Sequence, residues 1–260
     1  MNLFIEGIQG TGKSTLLEKL AVRHPDYHVY REGDYCPIEL SWCTWMTAAD
    51  YETVCRKYPS LKKELETQTT KEGDHYITAY TRILTDIPGF HKDMERWEIY
   101  NGRKTPEEFQ RILLKRYENL PTDNPGNLYE CSFFQNIVEE FLLYQQLSEE
   151  EIFAFYERLF ALVKDKGFHL YYLYAENLEP VLKQIIKERC DTQGNPLWYP
   201  LMLEYLKASP WGKKHQAEGF SDLLGHLQYR QDLELRLIKE ILKDQGEILN
   251  RDSLPRQFSV

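Results

Sequence analysis

Gly7-Ile8-Gln9-Gly10-Thr11-Gly12-Lys13-Ser14, close behind the apolar triplet Leu3-Phe4-Ile5, is the stretch on which the fold turns. It has the form G-x-x-x-x-G-K-[ST], the spacing of a phosphate-binding loop. Glycines let successive backbone N–H groups turn inward around an anion, Lys13 reaches towards β and γ phosphate oxygens, and the Ser14 hydroxyl is a Mg²⁺ ligand. Leu16, Leu17 and Leu20 follow at helical spacing, so strand, loop and helix N-terminus come in the order an anion site requires. The candidate nucleotide-binding residues are therefore Gly7, Ile8, Gln9, Gly10, Thr11, Gly12, Lys13, Ser14 and Thr15.

Outward from the loop, Tyr27-His28-Val29-Tyr30 predicts a second strand that ends in Arg31-Glu32-Gly33-Asp34. One helix between two strands predicts a parallel pair with a right-handed crossover. Ligand chemistry gathers at the carboxyl ends of such strands, so Glu32 and Asp34 are expected at the same edge as the loop. Residues 36–122 show no convincing strand and read as a helical insertion. Within it, Thr105-Pro106-Glu107-Glu108 is a capping box with proline at the first helical position, opening the amphipathic run Phe109 to Leu120. The insertion is rich in aromatic residues, Trp42, Trp45, Tyr51, Tyr76 and Trp97 among them. Most are expected as core contacts, a few as the lining of a small-molecule cleft.

Beyond the turn-rich Pro121–Gly126, Asn127-Leu128-Tyr129 predicts a short strand ending at Glu130-Cys131-Ser132. Ser148-Glu149-Glu150-Glu151 caps a helix that stops near Gly167. His169 to Tyr174 is the clearest buried-strand pattern and feeds an amphipathic helix, Leu178 to Arg189, that carries Lys183, Lys187 and Arg189. A long helix from about Ser221 to Lys243 and a last strand, Glu247 to Asn250, complete the alternation. Asp123 and Asp191 sit in turns, where such side chains cap backbone. His91, His169, His215 and His226 lack metal-ligand spacing.

At 260 residues the chain suffices for one α/β domain carrying an insertion. Its net charge of -9 argues against extended nucleic acid as a partner. Five cysteines without a C-x-x-C pair suggest neither a disulfide framework nor a zinc site. No secretory leader pattern and no long apolar run are present, so a soluble cytoplasmic protein without a membrane partner is expected. A second copy of the chain, as a homodimer, is a candidate partner.

Together these features resemble the P-loop nucleoside and nucleotide kinases, the group that includes thymidylate kinases and deoxynucleoside kinases. The resemblance spans most of the chain and is sharpest in the loop. It implies an α/β P-loop NTPase fold of three layers, with a five-stranded parallel sheet and a large helical insertion. Residues 1–35 and 123–260 would be the core, and 36–122 the acceptor-substrate region. Arg31-Glu32-Gly33 is similar to the R-E-P-G segment of thymidylate kinases without its proline, and Glu32 is placed like the general-base glutamate of deoxynucleoside kinases. Glu130-Cys131-Ser132 is similar to the family motifs E-R-S and D-R-[YH], with Cys131 in place of arginine, which removes a cation expected near the transferred phosphoryl group.

Arg82, in a predicted helix Tyr76–Arg82, is placed like the arginine that holds an acceptor phosphate in thymidylate kinases. Lys183 to Arg189 occupies the position of the family lid, and Asn250-Arg251-Asp252 resembles the loop that approaches adenine. The resemblance thus implies ATP and Mg²⁺ as cofactors, with ATP and a small-molecule acceptor as partners. Lys13, Glu32 and Arg189 would be catalytic, Glu32, Arg82 and Glu130 substrate-binding, and Ser14 the metal ligand. The competing expectation is a nucleotide-binding regulatory protein that hydrolyses ATP slowly or not at all.

Overall fold

Strand β1 (Asn2–Gly7) is buried along its whole length. A strand covered on both faces reads as a continuous apolar run, which is why Leu3-Phe4-Ile5 lacks the alternation of a half-exposed strand. The computed structural model describes residues 1–122 and 125–254, so Asp123 of the predicted turn lies outside the described residues. The chain divides into two units, Met1–Val29 with Pro121–Val260, and Tyr30–Leu120. In the first unit, β1 leads through the glycine-rich loop into helix α1 (Lys13–Arg23) and then to β2 (His28–Tyr30).

The second unit contains β3 (Met46–Thr47), α2 (Ala48–Lys57), α3 (Lys62–Thr67), β4 (Thr69–Glu72), β5 (His75–Thr78), α4 (Phe90–Met94) and α5 (Pro106–Glu118). Here the expectation of helices without strands needs correction, because β3, β5 and β4 form a three-stranded antiparallel sheet. Thr69-Thr70 and Ile77-Thr78 pair across a turn at Gly73, whose φ of +55° is open to glycine. Thr69 Oγ1 and Thr78 Oγ1 meet at 2.7 Å on one face of that ladder. The strands are four residues or shorter, too short for a period-two pattern to stand out against the helical segments around them. Thr105 caps α5 as its sequence predicts, its hydroxyl accepting the Glu108 N–H at 3.3 Å.

The first unit resumes with β6 (Asn127–Glu130), α6 (Gln135–Glu139), α7 (Glu149–Val163), β7 (Phe168–Tyr174), α8 (Leu178–Glu188), α9 (Trp198–Ala208), α10 (Pro210–His215), α11 (Phe220–Leu237) and β8 (Gly246–Asn250). A π-helical turn, Ile238–Leu242, extends α11. The five parallel strands lie in the order β2-β6-β1-β7-β8. On one face Leu16, Leu17 and Leu20 of α1 cover Leu3, Ile5, Leu128 and Leu173. On the other, Phe4 stacks on Tyr129 at 4.8 Å and meets Phe168 at 4.7 Å, with Phe133 and Tyr156 of α7 continuing the ring cluster. Helices therefore flank the sheet, and among the described residues none is long and apolar enough to cross a membrane.

The predicted direct pairing of β1 with β2 is corrected by this order, since β6 runs between them. The reason is local chemistry at the strand starts. Asn2 is buried, and its Nδ2 donates to the carbonyls of Pro121 and Lys166, each at 2.8 Å, while its Oδ1 accepts from Asn127 Nδ2 at 2.8 Å. One satisfied amide thus sets β6 against β1, and the His28 N–H to Gly126 carbonyl bond, 3.0 Å, ties β2 to the outer side of β6. Replacing Asn2 by leucine leaves a buried donor and two carbonyls without that partner. We expect Asn2→Leu to lower unfolding free energy by about 3 kcal/mol in urea titration, and no loss would remove Asn2 from the register argument.

Candidate functional site

The glycine-rich loop connects the buried end of β1 to the first turn of α1, and its backbone course demands glycine. Gly7 has φ +140°, and a Cβ there would stand 2.5 Å from the Leu173 carbonyl of β7. Gly10 has φ +83°, and a Cβ would stand 3.2 Å from Val181 of α8. Ile8 belongs to the same apolar cluster as Val181, Leu182 and Ile185, so the amphipathic face of α8 is what seats the loop.

Thr11 closes the loop on itself, its N–H and Oγ1 both donating to the Ile8 carbonyl at 3.2 and 2.7 Å. Lys13 is buried, and its ammonium spans the loop with hydrogen bonds to the carbonyls of Gly7 at 2.9 Å and Ile8 at 3.1 Å. The N–H groups that open α1 have no intrahelical acceptor, and the helix dipole adds positive potential there. Thr15 lies in that turn and is exposed.

Ser14 Oγ donates to Glu130 Oε1 at 2.5 Å. Parallel register creates this contact, because Ile5 of β1 lies opposite Glu130 of β6 and both strands end at the same edge. Just past Glu130 the backbone turns sharply. Cys131 takes φ +55°, its N–H donates to the Ile5 carbonyl at 3.1 Å, and Ser132 Oγ donates to the Glu130 carbonyl at 3.0 Å. A positive φ on a buried non-glycine residue is strain held by these surroundings. The thiol at this corner supplies no cation.

Beneath the loop lies a buried polar network. Arg230 of α11 is fully buried. Its Nη1 donates to Glu139 Oε1 at 2.5 Å, its Nη2 to Gln9 Oε1 at 3.1 Å, and its Nε lies 3.2 Å from Glu234 Oε1. His226 Nε2 meets Glu139 Oε2 at 2.6 Å, and the Tyr172 hydroxyl donates to Glu234 Oε2 at 2.6 Å. Burial alone would raise the Glu139 carboxyl, but His226 and Arg230 beside it hold it down at about 2. Glu6, inside β1, accepts the N–H groups of Phe133 at 2.6 Å and Gln135 at 3.2 Å, yet burial still pushes its carboxyl up to about 7. Arg251, just after β8, donates to the Gly10 carbonyl at 3.0 Å.

The structure thus brings Gly7 to Ser14 and Glu130 together at one sheet edge. Arg189 is exposed at the C-terminal end of α8, where its carbonyl accepts the Leu197 N–H at 2.9 Å. Lys183 of the same helix pairs with Glu179 at 2.6 Å. The second unit holds another group. Arg82 Nη2 donates to the Glu32 carbonyl at 3.1 Å and pairs with Asp34 Oδ1 at 2.7 Å, and Trp42 Nε1 donates to Glu32 Oε1 at 3.2 Å. Arg82 does not stand on a helix as predicted. Strand β5 ends at Thr78 and a single 3-10 turn, Tyr80–Arg82, follows, because the β-branched pair Ile77-Thr78 is taken into the hairpin ladder.

A signal for the missed network was present in the sequence. His226, Arg230 and Glu234 recur every four residues alongside Leu223, Leu227 and Leu237, which puts charges on the apolar face of α11. Glu6 likewise interrupts an apolar strand.

Compared with models of known protein families and with curated protein sequences, the chain has no match. The Glu6 carboxyl gives a solution test of the core behind the loop. Because its folded value is raised from 4.5 to about 7, its contribution to stability is full below about pH 4.5 and is lost as pH rises through about 7. We expect urea stability of the wild type to fall between pH 5.5 and 8.5 more steeply than that of Glu6→Gln, by roughly 2 kcal/mol. Parallel slopes would show that Glu6 does not titrate in this range.

Proposed function

We propose that the chain is an ATP- and Mg²⁺-dependent phosphotransferase acting on a small molecule, with nucleosides and nucleotides the first candidates, built on a P-loop kinase-like core. The observation that carries this reading is the joint geometry of the loop and the strand edge. Lys13 is locked across the loop carbonyls, the first turn of α1 opens at the loop, and Ser14 Oγ lies 2.5 Å from a Glu130 carboxylate oxygen. A cationic, N–H-rich loop suits phosphate oxygens, and a hydroxyl beside a carboxylate is the hard oxygen pair that suits Mg²⁺, which takes one or two protein ligands and fills the rest with water and phosphate. When bound, Mg²⁺ supplies neutralisation of phosphate charge.

The roles of the chain's own residues follow from what phosphoryl transfer demands, which is in-line positioning and charge stabilisation rather than covalent chemistry. Lys13 and the loop N–H groups hold the outer phosphates. Ser14 and Glu130 hold the cation. Arg189 and the basic residues before it on α8 serve as the lid. Glu32 accepts the proton of a hydroxyl acceptor, or orders water and substrate if the acceptor is itself a phosphate, and Arg82 is its substrate-side cation. The cytoplasm suits an enzyme whose five thiols are all free.

The deciding experiment is ADP release from MgATP across a panel of nucleosides, nucleotides, sugars and other hydroxyl compounds. Release stimulated by one acceptor class, and abolished in Lys13→Ala, is the expected result. Tight ATP binding with no stimulation across the panel would favour a regulatory nucleotide-binding protein instead. For a hydroxyl acceptor, Glu32→Gln is expected to cut turnover on the order of a hundredfold while ATP affinity stays within about twofold. Unchanged turnover would take Glu32 out of the reaction.

A further inference from the structure

Gln9 is a loop side chain that hydrogen-bonds into the buried network, and the chemistry of its partner determines which way its amide faces. A guanidinium carries only N–H donors, so the atom of Gln9 that meets Arg230 Nη2 at 3.1 Å must be the carbonyl oxygen. The amino group of the same amide is then turned to the opposite side, and it has no hydrogen-bond partner among the described residues. Arg230 cannot swing away to release it. Its other nitrogens are engaged by Glu139 at 2.5 Å and Glu234 at 3.2 Å, and Glu139 is itself held by His226 at 2.6 Å. Three elements, α6, α11 and the loop, thereby hold one half-buried carboxamide in one orientation.

A cation on the oxygen also strengthens the donor end, since polarising the amide draws charge from its N–H groups. The loop also offers backbone N–H groups and Lys13, and Arg251 donates to the Gly10 carbonyl at 3.0 Å. Gln9 stands between Ile8 and Gly10 in that loop, so its unpartnered donor belongs to the stretch of chain that would wrap the phosphates.

We propose that Gln9 is a substrate-contacting residue that donates its amide N–H to the terminal phosphoryl oxygens of bound nucleoside triphosphate, and that Arg230 is its positioning residue. The proposal rests on the phosphotransferase reading and adds to it a side-chain contact that separates triphosphate from diphosphate. Gln9 forms no covalent bond. Its role is a charge-directed hydrogen bond to the negative charge spread over the equatorial oxygens of the transferred group.

The test is calorimetric titration of MgATP and MgADP into wild type, Gln9→Ala and Gln9→Glu, with thermal unfolding midpoints as the check on folding. Gln9→Ala is expected to weaken ATP binding about tenfold and ADP binding no more than about twofold. Gln9→Glu keeps an acceptor for Arg230 but replaces the donor by a negative oxygen, so ATP should weaken further with ADP again nearly unchanged. In the Gln9→Ala background, Arg230→Lys should leave the ATP-to-ADP affinity ratio where it was, because its effect runs through Gln9. Equal losses for both nucleotides, or no loss in either variant, would overturn the contact while leaving the nucleotide site intact. A wild type that binds neither nucleotide would overturn the phosphate-site reading and this inference with it.

Discussion

The register of β1 between its two neighbours is the constraint from which the loop and its surroundings follow. Asn2, through three side-chain hydrogen bonds at the strand start, sets β1 against β6, and from there each pairing is determined down the strand. Ile5 comes opposite Glu130, and Gly7 opposite Leu173. A slip of one residue would turn Phe4 out of its ring cluster and put Glu6 on the face of α1, since side chains alternate with a period of two. It would also part Ser14 from Glu130. A hydrogen-bond pattern at the buried start of the sheet therefore decides where the chemistry-bearing groups meet at its other end.

Behind that edge the protein keeps Arg230, Glu139, Glu234 and Glu6 away from water. Buried charges are costly unless paired and hydrogen-bonded, and replacing such sets by apolar residues is often neutral or stabilising. Stability alone is thus a poor reason for this network. Its geometry gives a better one, because the guanidinium reaches through the core to a loop side chain 221 positions away in sequence. Gln231, beside Arg230 on α11, does comparable work on the backbone, its amide accepting the Ala175 N–H at 3.2 Å and donating to the Ala175 carbonyl at 3.0 Å just beyond β7. Helix α11 thus braces the chain just past β1 and just past β7.

The second unit shows a different economy. Trp42 has φ +60° and an exposed ring, although its chain neighbours Ser41 and Cys43 are buried. Glu39 accounts for the backbone there, since its carboxylate accepts both the Ser41 N–H at 2.6 Å and the Ser41 hydroxyl at 2.5 Å. The exposed indole in turn orients Glu32. Trp42 thus combines a left-handed backbone with a solvent-facing ring hydrogen-bonded to a carboxylate.

The five core strands, the cap of α5 at Thr105, the capping box at Ser148 and the glycine-rich turn were all legible in the sequence, because each rests on contacts within a few residues or on a run long enough to show its period. The three short strands of the second unit were not, since runs of two to four residues carry no usable period and their pairing energy comes from partners elsewhere in the chain. The insertion of β6 between β1 and β2 was equally hidden, because strand order depends on which edges satisfy one another's buried amides. Sequence by itself determined the α/β alternation and the loop's conformational needs, where glycine stereochemistry and helix-start chemistry are local. Only the tertiary structure decided that Glu130 meets Ser14 and that Arg230 holds Gln9, because hydrogen bonds between residues 116 and 221 positions apart exist only after the sheet and α11 have closed around β1.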